Sequence, residues 1–247
     1  MRTDGAHAVE GRSLQIATRP TEADVYSLDA APVLYWPMSS EHGDSAADLA
    51  RRIADKTSRP FTLVACCTDA WERDLSPWPS SDPNARGDFS GEGPAFLDWI
   101  RDACIPFVEE QTGGGQAKSP VWRIIGGYSL AGLFSAWSFL KTDLFCGLAS
   151  CSGSLWYPGW AEWRQSQLPP RNSVAYISLG RKEPRTKNPL VAQVGNLTEQ
   201  FADQLATEGR ILESTFVWNP GGHFNDPAER MAEGFAWAVD CLARNLS

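Results

Sequence analysis

Short apolar runs alternate with stretches of helical periodicity along most of this 247-residue chain. Apolar runs this short, without an alternating polar face, are typical of strands that are buried on both sides. Six runs are predicted to be strands: 32–36, 61–67, 121–125, 145–151, 174–179 and 211–218. Four stretches are predicted to be helices: 94–111, 130–140, 190–206 and 228–246. Because strands and helices alternate in order, the sequence predicts an α/β fold with a mostly parallel sheet and helices on both faces.

The length of the chain favours one domain, 1–247, around a single core. The first 30 residues have the weakest pattern, and we interpret them as an antiparallel edge of the sheet. The segment 69–93 carries three prolines among Gly, Ser and Asp residues, so we expect a loop without regular structure there. Three consecutive glycines at 113–115 predict a flexible link into the next strand.

Charge and composition exclude several classes of function. The net charge of −8 disfavours a nucleic-acid partner, because binding to phosphates requires clustered Lys and Arg. No apolar run approaches the roughly 20 residues that cross a bilayer, and residues 1–11 lack the features of a signal peptide. We therefore expect a cytoplasmic protein that does not bind a membrane. The cysteines show no C-x-x-C spacing, which predicts buried free thiols.

Ser129 lies in a glycine-lined turn, 126–132, between an apolar strand and an apolar helix. A serine on such a tight turn projects its Oγ beyond the sheet, which is the geometry of a nucleophile elbow. The usual pattern has glycine two residues after the serine, whereas this chain has Ala131 followed by Gly132. One additional methyl group is a small departure, but an isolated serine motif is weak evidence, so the rest of the site must support it.

A nucleophilic serine needs a base, and His223 is the only histidine that follows Ser129. It lies in a glycine-rich loop between the last predicted strand and the last predicted helix. Nucleophile-elbow enzymes place their residues in the order serine, acid, histidine. Glu183 follows the strand 174–179 and is the first candidate for the acid. Asp226 is the alternative, although its position suits a role in capping the last helix.

Three segments together resemble the esterase family that includes esterase D and the enterochelin esterases. They are the elbow 127–132, the strand and turn 149–156, and the loop Gly221-Gly222-His223. The resemblance covers the chain from about residue 32 to its C-terminus. It implies an α/β-hydrolase fold, no cofactor, and hydrolysis of an ester through an acyl-serine intermediate on Ser129, with His223 and Glu183. It does not identify the ester.

The chain departs from this family after the strand 32–36, where Pro37 and its neighbours replace the usual His-Gly pair. This turn should supply one of the two backbone amides that hold the developing oxyanion, and the amide of Leu130 should supply the other. Because proline has no N–H, Met38 is the predicted donor and Ser39 is the alternative.

Aromatic and cationic residues in predicted loops suggest what surrounds the nucleophile. Trp78 and Trp156 would line an apolar substrate pocket, although ordinary packing explains such rings equally well. Four cations near the predicted acid would attract an anionic or catechol-bearing ester, although a solvated face is the simpler explanation: Arg181, Lys182, Arg185 and Lys187. The strands and helices between Ser129 and His223 leave no room for a large lid domain.

Other classes of function share parts of this pattern. An acyltransferase would use the same triad and differ only in whether an alcohol or water receives the acyl group. A noncatalytic binding module on a hydrolase scaffold is a further alternative, because a fold alone does not establish a function. A metal-dependent hydrolase is disfavoured, since a zinc site needs several ligands and only one histidine lies near the predicted site.

Overall fold

The computed structural model describes residues 5–19, 31–40, 45–80, 89–112 and 122–246. Eight strands occur within these ranges: β1 (Gly5–Val9), β2 (Arg12–Arg19), β3 (Val33–Ser39), β4 (Phe61–Thr68), β5 (Arg123–Tyr128), β6 (Gly147–Cys151), β7 (Ser173–Gly180) and β8 (Ile211–Asn219). They form one sheet in the order β1-β2-β4-β3-β5-β6-β7-β8. The strands from β4 to β8 in this order pair in parallel, while β1 and β2 form an antiparallel edge.

Eight α-helices accompany this sheet in the described part of the chain: α1 (Ala46–Ala54), α2 (Trp71–Leu75), α3 (Gly93–Trp99), α4 (Ile105–Thr112), α5 (Leu130–Lys141), α6 (Trp160–Arg164), α7 (Val194–Thr207) and α8 (Pro227–Leu246). A π-helical segment, Ile100–Cys104, joins α3 to α4, and a 3₁₀ turn, Val191–Gln193, precedes α7. Capping residues account for where some of these helices begin. For example, Ser45 caps α1 by accepting a hydrogen bond from the amide of Asp48.

Two hydrophobic layers cover the two faces of the sheet. Alternate residues of each strand point to opposite faces, so Tyr35 of β3 enters one layer and Leu34 enters the other. The first layer includes the side chains of α3, α5 and α7, and α5 is buried along almost its whole length. The second layer is built by α1 and α8. The predicted parallel sheet with helices on both faces is therefore confirmed.

Two strands extend further than predicted at their carboxyl ends, where they meet the candidate site. The strand predicted at 32–36 continues to Ser39, because β4 pairs with it as far as Ser39 and Thr68. The strand predicted at 121–125 continues through two glycines to Tyr128, and residue 121 lies outside the described residues. The absence of a β-carbon at Gly126 leaves room for the ring of Phe235 and for Ala149.

Short helices were not predicted from the sequence. The segment 69–93 was expected to lack regular structure, but it contains α2, and residues 81–88 lie outside the described part. Helices α1 and α6 were also missed. The helix predicted at 94–111 is interrupted by the π-helical segment, and the one predicted at 190–206 starts as a 3₁₀ turn. The predicted glycine link at 113–115 is outside the described residues.

The antiparallel edge suggested for the first 30 residues occurs within 5–19, where β2 pairs with β4. All six cysteines are free thiols, and five of them are buried. Within the described residues, no helix is long and apolar enough to span a membrane. The same residues contain no group of three or more His, Cys, Asp or Glu side chains arranged to hold a metal ion.

The direction of the chain along the sheet reverses at β3. From β3 the chain moves to β4 on one side, and it then returns to β5 on the other side. In parallel α/β sheets, a crevice forms beyond the carboxyl ends of the two strands at such a switch point. Ser39 ends β3 and Ser129 directly follows β5, so both residues lie at this crevice.

A buried carboxylate ties the edge of the sheet to α2. Asp74 is 1% exposed and accepts hydrogen bonds from Arg12 of β2, from Arg73 and from the hydroxyl of Thr68. Burial raises the pKa of Asp74, but the hydrogen bonds from Arg12, Thr68 and Arg73 outweigh it and lower the pKa below its usual value.

We expect Asp74→Asn to lower the free energy of unfolding at pH 7 by about 1 to 3 kcal/mol, because Arg12 loses its charged partner. The lowered pKa stabilises the folded state above the unfolded-state pKa, and this contribution is lost as the pH falls through the folded-state pKa. The free energies of unfolding of the variant and the wild type should therefore become more similar as the pH falls toward 3. Urea unfolding between pH 7 and pH 3 measures it, with the exposed Asp69→Asn as control. A constant difference across this range would contradict the linkage.

Candidate active site

Ser129 occupies a strained turn between β5 and α5. Its backbone has φ 59° and ψ −122°, a conformation that is costly for a residue with a side chain. Two hydrogen bonds to the neighbouring strand and loop hold it: the Ser129 amide donates to Cys151 O at 3.2 Å, and the Ser154 amide donates to Ser129 O at 3.0 Å. The turn is thus fixed by β6 and by the segment that follows it.

Glycines allow α5 to approach the sheet closely enough to form this turn. A β-carbon at Gly127 would lie 2.7 Å from Cβ of Ala131, and one at Gly132 would lie 2.9 Å from Cα of Gly153. Real β-carbons do not occur at such distances, so both positions require glycine. The departure at Ala131 is accommodated because Gly127, across from it, has no side chain. The close approach of helix and strand, which the motif predicts, is observed here.

His223 lies beside Ser129 in the loop between β8 and α8. Its Nε2 is 3.0 Å from Ser129 Oγ, and its Nδ1 is 2.8 Å from Glu183 Oε2. Gly221 has a positive φ of 82°, which glycine adopts without strain, and Asn225 closes the loop by accepting a hydrogen bond from the Gly222 amide. The structure therefore brings the three residues that were predicted as nucleophile, base and acid into one hydrogen-bonded line.

The Glu183 carboxylate is 5% exposed, and its two oxygens face different partners. Oε1 accepts hydrogen bonds from the Ser152 hydroxyl and the Gly180 amide, both at 2.7 Å, while Oε2 faces His223. Burial raises the pKa of Glu183, but the hydrogen bonds from His223, Ser152 and the Gly180 amide outweigh it, and the net pKa lies below the usual value. The carboxylate is therefore ionised at neutral pH and can orient the imidazole and stabilise its protonated form.

Asp226, the alternative acid, is exposed at the start of α8. Its backbone has a φ of 50°, and its carbonyl oxygen accepts a hydrogen bond from the amide of Arg230. The hydrogen bond to Nδ1 of His223 comes from Glu183 and not from Asp226. The geometry therefore favours Glu183, the first of the two candidates.

The amide of Leu130 is at the first position of α5, where helical amides have no acceptor within the helix. The second predicted oxyanion donor, Met38, is disfavoured by the alternation of β3. The Val33 amide donates to Trp122 O on the β5 side, whereas the Ser40 amide donates to Thr68 O on the β4 side. Since successive residues alternate, the Met38 amide points to β4 and the Ser39 amide points toward β5 and the elbow. Ser39 therefore replaces Met38 as the candidate donor.

Two cavities meet at Ser129 and His223. One, of about 330 Å³, is lined mainly by apolar side chains: Trp36, Met38, Trp71, Pro227 and Met231. The other, of about 430 Å³, includes Trp156, Lys182 and Arg185. Phe224, which is 91% exposed, borders both cavities. Volumes of this size are typical of small-molecule sites.

The two tryptophans predicted for the pocket have different surroundings. Trp156 lines the larger cavity beside Ser129. Trp78 lines neither cavity as far as the described residues define them. Its ring packs against Tyr157 and Trp163, and its indole N–H donates to Pro158 O at 2.7 Å. Trp78 therefore belongs to an aromatic cluster, because a nearby carbonyl satisfies its N–H and other rings cover its faces.

The predicted cationic cluster follows β7 at the same edge of the sheet as Ser129. Lys182 and Arg185 line the larger cavity, and no ion pair to a carboxylate holds either of them within the described residues. Arg181 and Lys187 are exposed and do not line it. Half of the cluster is therefore positioned to meet a bound molecule.

Three residues that sequence patterns did not single out hold Ser129, His223 and Glu183 in place. The Tyr128 hydroxyl donates to the carbonyl of His223 at 2.6 Å, Ser152 donates to Glu183, and the buried Arg230 contacts both Tyr128 and Ser152. The role of Tyr128 could have been suspected from the sequence, because a residue directly before the nucleophile must lie close to the site. No local pattern distinguishes Arg230 from the other charged residues of α8.

Similarity to known proteins is found in solved structures and not in the sequence comparisons. A scan against protein-family models gives no match for the sequence, and neither does a search of the curated proteins. Solved structures do match. The siderophore hydrolase EstA from Aspergillus nidulans superimposes with a TM-score of 0.70 at 17% identity, over 94% of this chain and 90% of that chain.

Two further structures are similar. An IroE-like serine hydrolase from Shewanella oneidensis gives a TM-score of 0.69 at 18% identity, over 91% of this chain and 74% of that chain. The siderophore hydrolase EstB from Aspergillus nidulans gives 0.67 at 18% identity, over 92% and 89%. The chain therefore has the α/β-hydrolase fold, as the resemblance of its motifs implied.

Proposed function

We propose that this protein is a serine hydrolase that cleaves a carboxylic ester of a small molecule, with Ser129 as nucleophile, His223 as base and Glu183 as acid. The observation that carries the proposal is the line of hydrogen bonds from Ser129 Oγ through the imidazole to the Glu183 carboxylate. A serine is activated by a base within hydrogen-bonding distance that is itself oriented by a third group, and this line has that arrangement. The two adjoining cavities leave room for a substrate beside it.

The chemistry follows from this arrangement. His223 takes the proton of Ser129 as Oγ attacks the acyl carbon, and the ionised Glu183 stabilises the imidazolium. The amides of Leu130 and Ser39 are the candidate donors to the oxyanion. His223 then protonates the departing alcohol, which leaves an acyl group on Ser129. A water molecule gives its proton to His223, attacks the acyl carbon and releases the acid, and Ser129 regains its proton.

The similar structures support this class of reaction. Their names describe them as siderophore hydrolases and as a serine hydrolase. The cytoplasmic location stays a prediction from the sequence, and the absence of a cofactor stays a prediction from the family resemblance.

A siderophore-type ester with anionic or catechol groups is the more specific candidate substrate. The similar siderophore hydrolases suggest it, and the observation that favours it here is the pair of cations, Lys182 and Arg185, in the larger cavity. The apolar cavity beside Trp36 and Met231 would hold an uncharged part of the same molecule. An acyltransferase reaction uses the same residues and is distinguished by adding an acceptor alcohol and identifying the acylated product.

We expect a fluorophosphonate probe to label the wild-type protein and p-nitrophenyl acetate to be hydrolysed, and we expect Ser129→Ala to abolish both. The exposed Ser166→Ala, on the loop after α6, is the control and should behave as wild type. Gel fluorescence and p-nitrophenol release measure the two reactions. If the folded wild type neither reacts with the probe nor hydrolyses a range of short esters, a binding role is favoured instead.

Replacing the two candidate acids should separate their roles. Glu183→Gln should lower kcat/KM by about 100- to 10,000-fold, because the neutral amide no longer stabilises the imidazolium. Asp226→Asn removes a carboxylate three residues from His223 and should change kcat/KM by less than about threefold. Steady-state kinetics at fixed pH decide between them. A large loss in Asp226→Asn with little loss in Glu183→Gln would reverse the assignment.

Charge reversal in the larger cavity tests the candidate substrate class. Lys182→Glu combined with Arg185→Glu should raise KM for an anionic aryl ester by about tenfold and leave KM for its neutral counterpart nearly unchanged. The matched control is Arg181→Glu combined with Lys187→Glu, which makes the same change of net charge outside the cavity. Equal effects of the two double variants would indicate only a long-range field and would contradict an anion site at Lys182 and Arg185.

A further inference from the structure

Arg230 is a buried cation at the centre of the loops that form the candidate site. It lies in the first turns of α8, and only 3% of its surface is exposed. Arginine is seldom buried to this degree unless its guanidinium is paired and hydrogen-bonded. The partners of Arg230 therefore indicate why the fold retains a charge at this position.

One nitrogen of the guanidinium contacts the acid and the elbow. Nη1 lies 3.3 Å from Glu183 Oε1, 3.1 Å from the Ser152 hydroxyl and 3.0 Å from the Tyr128 hydroxyl, so its two N–H groups are shared among three oxygens. The Ser152 and Tyr128 hydroxyls can accept from Arg230 because each donates its own proton elsewhere, to Glu183 and to the carbonyl of His223.

The other nitrogen holds the loop that carries the base. Nη2 donates to Pro220 O at 2.8 Å and to Gly222 O at 3.1 Å, on either side of Gly221, whose φ is positive. The backbone of the acid loop joins the same structure, because the Lys182 amide donates to Gly221 O at 2.9 Å. One planar group thus connects the His223 loop, the Glu183 carboxylate and the residue before Ser129.

These contacts determine which oxygen of Glu183 faces the imidazole. Ser152, the Gly180 amide and Arg230 all donate to Oε1, so Oε2 is the oxygen directed at His223 Nδ1. Gly180 permits this, since a β-carbon there would lie 2.7 Å from Oε1 and 2.9 Å from Gly221 O. A lysine at position 230 would keep the charge, but a single ammonium nitrogen cannot span acceptors on both sides as the guanidinium fork does.

We propose that Arg230 is a positioning residue that aligns His223 and Glu183 relative to Ser129 and does not itself contact the substrate. The alignment is inferred from the contacts above, whereas its effect on catalysis rests on the proposed function. A misplacement of the imidazole by about 1 Å lowers the rate of the chemical step by about 100-fold and leaves ground-state binding largely unchanged. The effect should therefore fall on kcat and not on KM.

The test compares Arg230→Met and Arg230→Lys with Arg244→Met. Arg244 is also on α8 and also paired with a carboxylate, Glu213, but it is exposed and far along the helix from the site. Hydrolysis of p-nitrophenyl acetate is normalised to the sites titrated by a fluorophosphonate. We expect kcat per titrated site to fall about 100-fold in Arg230→Met and about tenfold in Arg230→Lys, with KM within about threefold of wild type and Arg244→Met unchanged.

A purely structural role would reduce the number of titrated sites or the melting temperature but would leave kcat per site unchanged, and that result would overturn the proposal. If Arg230→Met does not fold, Arg230→Lys alone decides: wild-type kcat per site in this variant would also overturn it. Failure of both variants to fold would count against the proposal in the same way, since positioning requires a folded protein with a misaligned site.

A spectroscopic measurement keeps this test separate from the proposed function. We expect the proton between His223 Nδ1 and Glu183 Oε2 to give a strongly deshielded NMR resonance, and its loss in His223→Gln and in Glu183→Gln would assign it. We expect it to shift or broaden in both Arg230 variants and to persist in Arg244→Met. An absence of turnover and labelling in the wild type would reject the proposed function only. In that case the resonance decides the role of Arg230: if it is unchanged in both Arg230 variants, Arg230 does not position His223 and Glu183.

Discussion

The close approach of α5 to the sheet is the constraint on which the candidate site depends. Because Gly127 and Gly132 have no β-carbons, the helix comes near enough to β5 and β6 for a turn of one residue to join strand and helix. Ser129 must then adopt a strained backbone conformation, and its Oγ stands beyond the carboxyl end of the sheet. The buried surface of α5 supplies the packing that keeps this strain in place.

The loops around Ser129 are held by a second constraint, which is electrostatic. A buried carboxylate and a buried guanidinium are each costly to desolvate, and they are tolerated because nearly all of their hydrogen-bonding capacity is used. Glu183 and Arg230 share this network with Ser152, Tyr128 and the carbonyls of the His223 loop. The charges thereby join three loops that are far apart in sequence. A change in one loop is therefore expected to move the imidazole of His223 and to leave the sheet unchanged.

The elements that sequence patterns predicted correctly are those whose periodicity follows from burial. The apolar runs that became β4 and β7 are covered on both faces, so their composition alone identifies them. The five-residue helix α2 escaped prediction, because it is too short for a periodic pattern and lies among prolines. Met38 was preferred to Ser39 for a similar reason: which amide faces the elbow depends on the pairing of β3 with its neighbours. A sequence does not show which aromatic rings pack together, so it does not separate Trp156, which lines the larger cavity, from Trp78, which packs against Tyr157 and Trp163.

The sequence by itself determined the alternation of the inner strands with the longer helices, the serine turn and the candidacy of the one histidine that follows it, because these depend on burial, local sterics and chain order. Only the tertiary structure shows that Glu183, and not Asp226, contacts His223, which amide of β3 points toward the turn at Ser129, and that Arg230 contacts Glu183, Ser152 and Tyr128. Most of these outcomes depend on distances of about 3 Å between residues that lie 40 or more positions apart, such as Glu183 with His223 and with Arg230. Only the packing of the helices on the sheet sets such distances.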